Sequence, residues 1–305
     1  MTRMRPPRLR EGSLVAVVAP AGPVERARLA EGVAALESWG LRVRVGEHVL
    51  DRHPRLPYLA GTDADRAADL QDAWCDPAVE AVVCARGGYG CQRLVDLLDW
   101  AALAAAGPKV LAGSSDVTAL HAAFGANLDL VTLFSPMVAG KLFDAGAREH
   151  LRATLFDPES TVVLTGPRVS TAEHGVAEGV TCGGTLSLLA ADVGSLDAAP
   201  PPDESILLLE DVGEDPYRVD RLLTQLLRAG WFTGVTGVAL GSWAECGEPR
   251  EVYAVVADLL GGLGVPMVWE LGFGHCPEQL TVPLGVSARL DADDGTLTLA
   301  EPALA

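Results

Sequence analysis

KVLAGSSDVTALHAAF, residues 109–124, places an apolar β-type run directly before Gly113, Ser114 and Ser115 and then enters a helical pattern with no intervening linker. The same strand-then-helix alternation extends in both directions. SLVAVVAP (13–20) precedes a helical stretch from about Glu25 to Trp39, LRVRVG (41–46) precedes one through Asp65 to Trp74, and VEAVVCA (79–85) leads into a glycine turn. Apolar strands separated by helices of this length predict a parallel sheet covered on both faces, with ligands at the carboxyl ends of its strands.

Around Phe156–Glu178 the pattern loosens into turn residues, which places a boundary near 165. The second half resumes with ESILLLED (204–211), a helix from about Val219 to Arg228, GVTGVALGSW (234–243), a helix from Glu251 to Leu260 and MVWELGF (267–273). ARLDADDGTLTLA (288–300) carries a hairpin signal at Asp-Asp-Gly. The expected organisation is α/β throughout, with an amino-terminal domain over 1–165 and a carboxyl-terminal one over 166–305. A chain of 305 residues has the length for two such cores.

Lys and Arg total 23 against 41 Asp and Glu, so the formal charge is −18. A field of that sign repels phosphate backbones and anionic lipid, so neither nucleic acid nor a membrane is an expected partner. Solubility alone also accounts for the excess acid. The arginines ahead of Leu14–Ala19 imitate a signal peptide, but Glu11 and Gly12 interrupt the approach and the apolar stretch is short. No segment nears the roughly 18 apolar residues of a membrane helix. The six cysteines lack the paired spacing of structural zinc or a redox dithiol, so no metal or other cofactor is expected and a cytoplasmic location is.

Four stretches can carry chemistry. A serine at a strand-to-helix turn is held out at the sheet edge, and the amide after it faces a developing oxyanion; Ser115 and the Asp116 amide fit, although either serine also suits an ordinary helix cap. In ARGG, Gly87 and Gly88 let backbone N–H groups approach a ligand, or form a plain tight turn. Glu210 closes the strand ILLLE, where a carboxylate can orient a histidine or merely meet solvent, with Asp211, Glu214 and Asp215 as competitors. Of six histidines, His275 lies in the glycine-rich loop GFGHCPEQLTVPLG (272–285), a usual placement for a general base, whereas His121 on a helix face reads as packed or exposed.

The blocks YLAGTDADRAADLQDAW (58–74), ARGGYGCQRLVDLLDW (85–100), GSSDVTALH (113–121), LLLEDVGEDPYRVDRLLTQLLRAG (207–230) and GHCPEQLTVPLG (274–285) together resemble, in order, the signature blocks of the LD-carboxypeptidase family. That resemblance implies an amino-terminal doubly wound parallel sheet of flavodoxin/amidotransferase-like type and a carboxyl-terminal swivelling β/α domain. It further implies a triad of Ser115 as nucleophile, Glu210 as acid and His275 as base, with the amides of Gly88 and Asp116 as the oxyanion hole. Arg86, beside the glycine turn, is a candidate partner for a substrate carboxylate, and equally for a structural ion pair.

Two positions depart from the family pattern. Ser114 stands where an aromatic residue usually precedes the nucleophile, and Thr185 in CGGTLSLL stands where asparagine is common. The activity implied is removal of terminal D-alanine from muropeptide tetrapeptides in cell-wall recycling, by a homodimer. Two other functions compete. One is a microcin C-type immunity peptidase cleaving an aminoacyl-nucleotide amide, for which Trp243 is the single candidate to stack on a base. The other is a non-catalytic two-lobe module that binds a peptide.

Overall fold

The computed structural model describes residues 3–195 and 200–305. Its first half supplies β1 (Leu14–Val18), α1 (Arg26–Ser38), β2 (Arg42–Val45), α2 (Asp63–Cys75), β3 (Val79–Cys84), α3 (Trp100–Ala105), β4 (Val110–Gly113), α4 (Thr118–Leu128), β5 (Thr132–Phe134) and α5 (Ala145–Phe156). Strands β1 to β5 pair in parallel in the order 5-4-3-1-2. Alternate strand residues face opposite ways, and both faces are buried. Val15, Val17, Val83 and Ala112 pack beneath α1 and α5, while Ala16, Val18, Val82 and Leu111 pack beneath α2, α3 and α4. This is the doubly wound sheet expected from the continuous apolar runs.

The second half supplies β6 (Val163–Leu164), β7 (Ser170–Glu173), β8 (Val176–Thr185), α6 (Leu186–Asp192), β9 (Ser205–Val212), α7 (Pro216–Arg228), β10 (Val235–Ala244), α8 (Pro249–Leu260), β11 (Met267–Trp269), β12 (Val282–Leu284), β13 (Ser287–Asp291) and β14 (Thr296–Leu299). Strands β8, β9, β10 and β11 run parallel at the centre of an eight-stranded sheet. Its edges are antiparallel, and β13 and β14 form the hairpin signalled by Asp-Asp-Gly. Both α7 and α8 begin earlier than periodicity indicated, because each opens on a proline, Pro216 and Pro249. Proline suits a first helical turn, where its missing N–H has no partner to lose.

The sheets do not separate at a single cut in the chain. Strand β6 joins β14 in the second sheet, while β12 crosses back to pair antiparallel with β5 at the edge of the first. Pro283 sits within that edge strand, a position that tolerates a missing donor. An apolar core containing Val131, Phe134, Val282 and Leu284 together with Ile206, Leu208 and Val268 joins the two sheets. The carboxyl ends of β3, β4, β9 and β10 consequently face one crevice.

Candidate active site

Strand β4 ends at Gly113, Ser114 remains extended, and Ser115 turns to a φ of 58° before a single 3-10 turn leads into α4. A left-handed serine costs on the order of 1 kcal/mol and persists only where its surroundings impose it. Ser114 occupies the cap position of the turn but makes no side-chain capping bond, so the helix-cap reading of that residue does not hold. Gly87 approaches closely: a Cβ there would lie 2.9 Å from the Ser115 Cβ and 3.0 Å from its Oγ.

In the opposite sheet the register of β8 and β9 sets Thr185 beside Glu210. Glu210 is fully buried and has no solvent to accept from. Its Oε2 accepts from the His275 amide at 3.2 Å and lies 2.7 Å from His275 Nδ1, while its Oε1 accepts from the Thr185 hydroxyl. A carboxylate only accepts, so the proton of this pair belongs on Nδ1, leaving Nε2 with a free lone pair.

Burial works against a charged His275 imidazole, but the adjacent Glu210, through its charge and its hydrogen bond, outweighs it. Asp211 and Glu245 add to the effect, and the histidine's pKa is raised. Asp211, also buried, is pushed up to about 7 by burial and then by the charge of Glu210, although it accepts from the Ser187 and Val212 amides.

Ser115 and His275 line one cavity of about 550 Å³ together with Gly87, Gly88 and Arg86. Arg86 donates to the Pro23 carbonyl, a backbone contact that holds it at the wall. Asp116 follows Ser115 with its carboxylate turned away, accepting from the Cys91 amide at 2.7 Å. A larger cavity of about 740 Å³ lies between α5 and the 270–280 loop, and neither Ser115 nor His275 lines it. The larger cavity has titratable groups of its own, Glu149, His150, Arg168 and Glu270, but the smaller is the one that brings Ser115 and His275 to a common wall.

Other predicted residues stand apart. His121 is packed, its Nε2 2.9 Å from the Gly113 carbonyl, and burial pushes its pKa down to about 4. Trp243 is 8% exposed and stacked on Trp269 with ring centroids 6.0 Å apart, so it does not reach the cavity and the stacking role read for it is corrected. Cys84 and Cys91 are buried, as small apolar packing residues. Among the described residues no His, Cys, Asp and Glu group of three is arranged to hold a metal. None of their helices is long and apolar enough to cross a membrane.

Sequence reading passed over four charged cavity residues: Glu25 and Arg28 at the start of α1, Lys141 after β5 and Glu245 after β10. Glu245 has a φ of 58°, a local strain that composition does not announce. Lys141 is one of only two lysines in the chain, the one signal that could have marked it.

Family models match this arrangement in both halves: the LD-carboxypeptidase N-terminal domain over residues 15–135 and the LD-carboxypeptidase C-terminal domain over 178–290. The chain belongs to the LD-carboxypeptidase family. A Streptomyces coelicolor protein provisionally assigned as a carboxypeptidase is 60% identical over 303 residues, covering 99% of this chain and 97% of its own. The murein tetrapeptide carboxypeptidase of Pseudomonas aeruginosa is 33% identical over 292 residues, covering 92% and 93%. The crystal structure of muramoyltetrapeptide carboxypeptidase from Oxalobacter formigenes superposes with a TM-score of 0.80 at 30% identity, over 94% of this chain and 97% of that one. In both matched halves the LD-carboxypeptidase fold accounts for the observed sheets, and membership identifies the chain with a family of peptidases.

Proposed function

We propose that this LD-carboxypeptidase family member is a serine peptidase that releases terminal D-alanine from muropeptide tetrapeptides in cell-wall recycling. The observation that carries the reading is the Glu210–His275 hydrogen bond at a cavity whose facing wall presents Ser115 on a strained turn. Glu210 holds the imidazole with Nε2 available as base. Nε2 takes the Ser115 proton as Oγ attacks the amide carbonyl, and the amides of Gly88 and Asp116 receive the oxyanion. The proton then passes to the departing amine of D-alanine, and water, activated by the same histidine, frees the acyl group.

Arg86 supplies a cation for the terminal carboxylate of the substrate, with Lys141 on the same wall. In this reading the lobe up to about residue 165 carries the nucleophile and the following one the acid and base, in a cytoplasmic homodimer. With Trp243 packed against Trp269, no residue identified from the sequence remains to stack on a nucleotide base, which disfavours the aminoacyl-nucleotide substrate.

Purified protein incubated with a muropeptide tetrapeptide, and separately with an aminoacyl sulfamoyl adenylate, tests the choice. D-Alanine release from the first alone is expected, and cleavage of the second alone overturns it. Ser115→Ala should lower turnover by several orders of magnitude. Tight peptide binding without any turnover would instead make the protein a binding module.

A further inference from the structure

Thr185 occupies the N-cap of α6, where a threonine hydroxyl normally accepts a backbone N–H of the first helical turn. Here it makes no capping bond. The Ser187 amide of that turn is accepted by Asp211 Oδ2 at 2.7 Å instead. The Thr185 hydroxyl donates to Glu210 Oε1, on the face of the carboxylate opposite the one that holds His275. Its own amide donates to Thr118 Oγ1 at 3.1 Å, and Thr118 opens α4 three residues after Ser115.

One residue therefore touches both halves of the crevice. All three side chains in this chain of contacts are buried: Thr118 at 1%, Thr185 at 2% and Glu210 at 0% exposure. The approach of β8 to α4 depends on Gly184, where a Cβ would fall 2.6 Å from Thr118 Oγ1 and 2.8 Å from its Cγ2.

We infer that Thr185 is a positioning residue, fixing the rotamer of Glu210 through its hydroxyl and the distance between the nucleophile-bearing and histidine-bearing lobes through its amide. A carboxylate buried without water and held only through Oε2 can rotate about its last torsion, taking Nδ1 of His275 with it. The Thr185 donor removes that freedom, and the threonine hydroxyl reaches it because parallel pairing makes residues 185 and 210 direct neighbours. The inference rests on the serine-peptidase reading and deepens it, since it assigns how the acid is aimed.

The test compares Thr185→Val, nearly the same shape without the donor, with Thr185→Ser, which keeps it. A fluorophosphonate probe, from which the Ser115 hydroxyl displaces fluoride, reports the rate of Ser115 phosphonylation, and the tetrapeptide reports kcat and KM. Thr185→Val should slow phosphonylation and kcat about 10- to 100-fold with KM within about twofold. Ser should restore both to within about threefold of wild type.

An unchanged rate in the valine variant, or a serine variant as slow as the valine one, overturns the inference while leaving the peptidase reading intact. Wild-type protein that the probe never labels at Ser115 overturns the peptidase reading itself, and the inference with it. Should the valine variant fail to fold, Thr185→Ala against Thr185→Ser makes the same comparison of hydroxyl with none.

Discussion

Ser115 reaches the cavity wall with a left-handed backbone, a conformation that costs a non-glycine residue stability. Ser115→Gly should abolish activity while raising stability by about 1 kcal/mol in denaturant titration, because glycine adopts that φ without strain. His275 supplies a second prediction. Its pKa lies above the usual histidine value because Glu210 outweighs the opposing effect of burial, and a general base works only when neutral. The acidic limb of kcat/KM should therefore rise with pH through a midpoint above about 6.5, the ordinary value. Glu210→Gln should move that midpoint down, since burial then acts without its counterweight. Ser115, Glu210 and His275 were legible because each ends or follows an apolar strand and sits in a recognisable block. The tie from Thr185 to Glu210 was not legible, since it depends on a strand register between segments 25 residues apart.

Strand β9 shows what an element adds to its residues. Ser205–Asp211 is buried on both faces, so its last two carboxylates enter the interior together and cannot both find water. Asp211 carries the cost, with its pKa raised to about 7. The folded state thus binds a proton that the unfolded chain, with an ordinary carboxyl near 4, has already released. Stability contributed by this group is complete below pH of about 4 and declines as pH rises toward about 7. Asp211→Asn keeps an oxygen to accept from the Ser187 amide and should flatten that part of the stability-against-pH curve, followed by chemical denaturation at several pH values. A slope unchanged by the substitution would assign the pH dependence elsewhere. Many elements were readable from periodicity, β1 to β4 and β9 to β11 above all, whereas β8, central in the second sheet, was not read as a strand because its glycines and polar residues break the apolar run. Strand β12 was readable only as a β-like run: nothing in TVPLG tells which of two sheets it will join, because its partner β5 lies about 150 residues away in the chain.

Across the whole molecule the two sheets are stitched together three times, and this governs how the chain unfolds. Phe134 of β5 packs edge to face on Phe273 of the histidine loop at 5.9 Å, within an apolar core to which both sheets contribute. Strand β12 closes the edge of the first sheet. The last residues return to the first lobe, where Ala303 and Leu304 pack with Val15 and Leu155, and Arg8 donates its amide to the Ala305 carbonyl. Two domains joined by a polar linker would melt independently. Here neither sheet is complete without residues from the other half, so a single cooperative transition is expected in calorimetry. Leu304 has no exposed surface, and Leu304→Ala should cost about 2–5 kcal/mol. That loss should lower the one transition as a whole, carrying the second sheet with the first. A fragment ending at residue 165 lacks both β12 and Leu304 and should not fold alone. Two resolved transitions, or a folded 1–165 fragment, would mean that the shared core is too weak to couple the lobes, and the crevice between Ser115 and His275 would then open without unfolding either side.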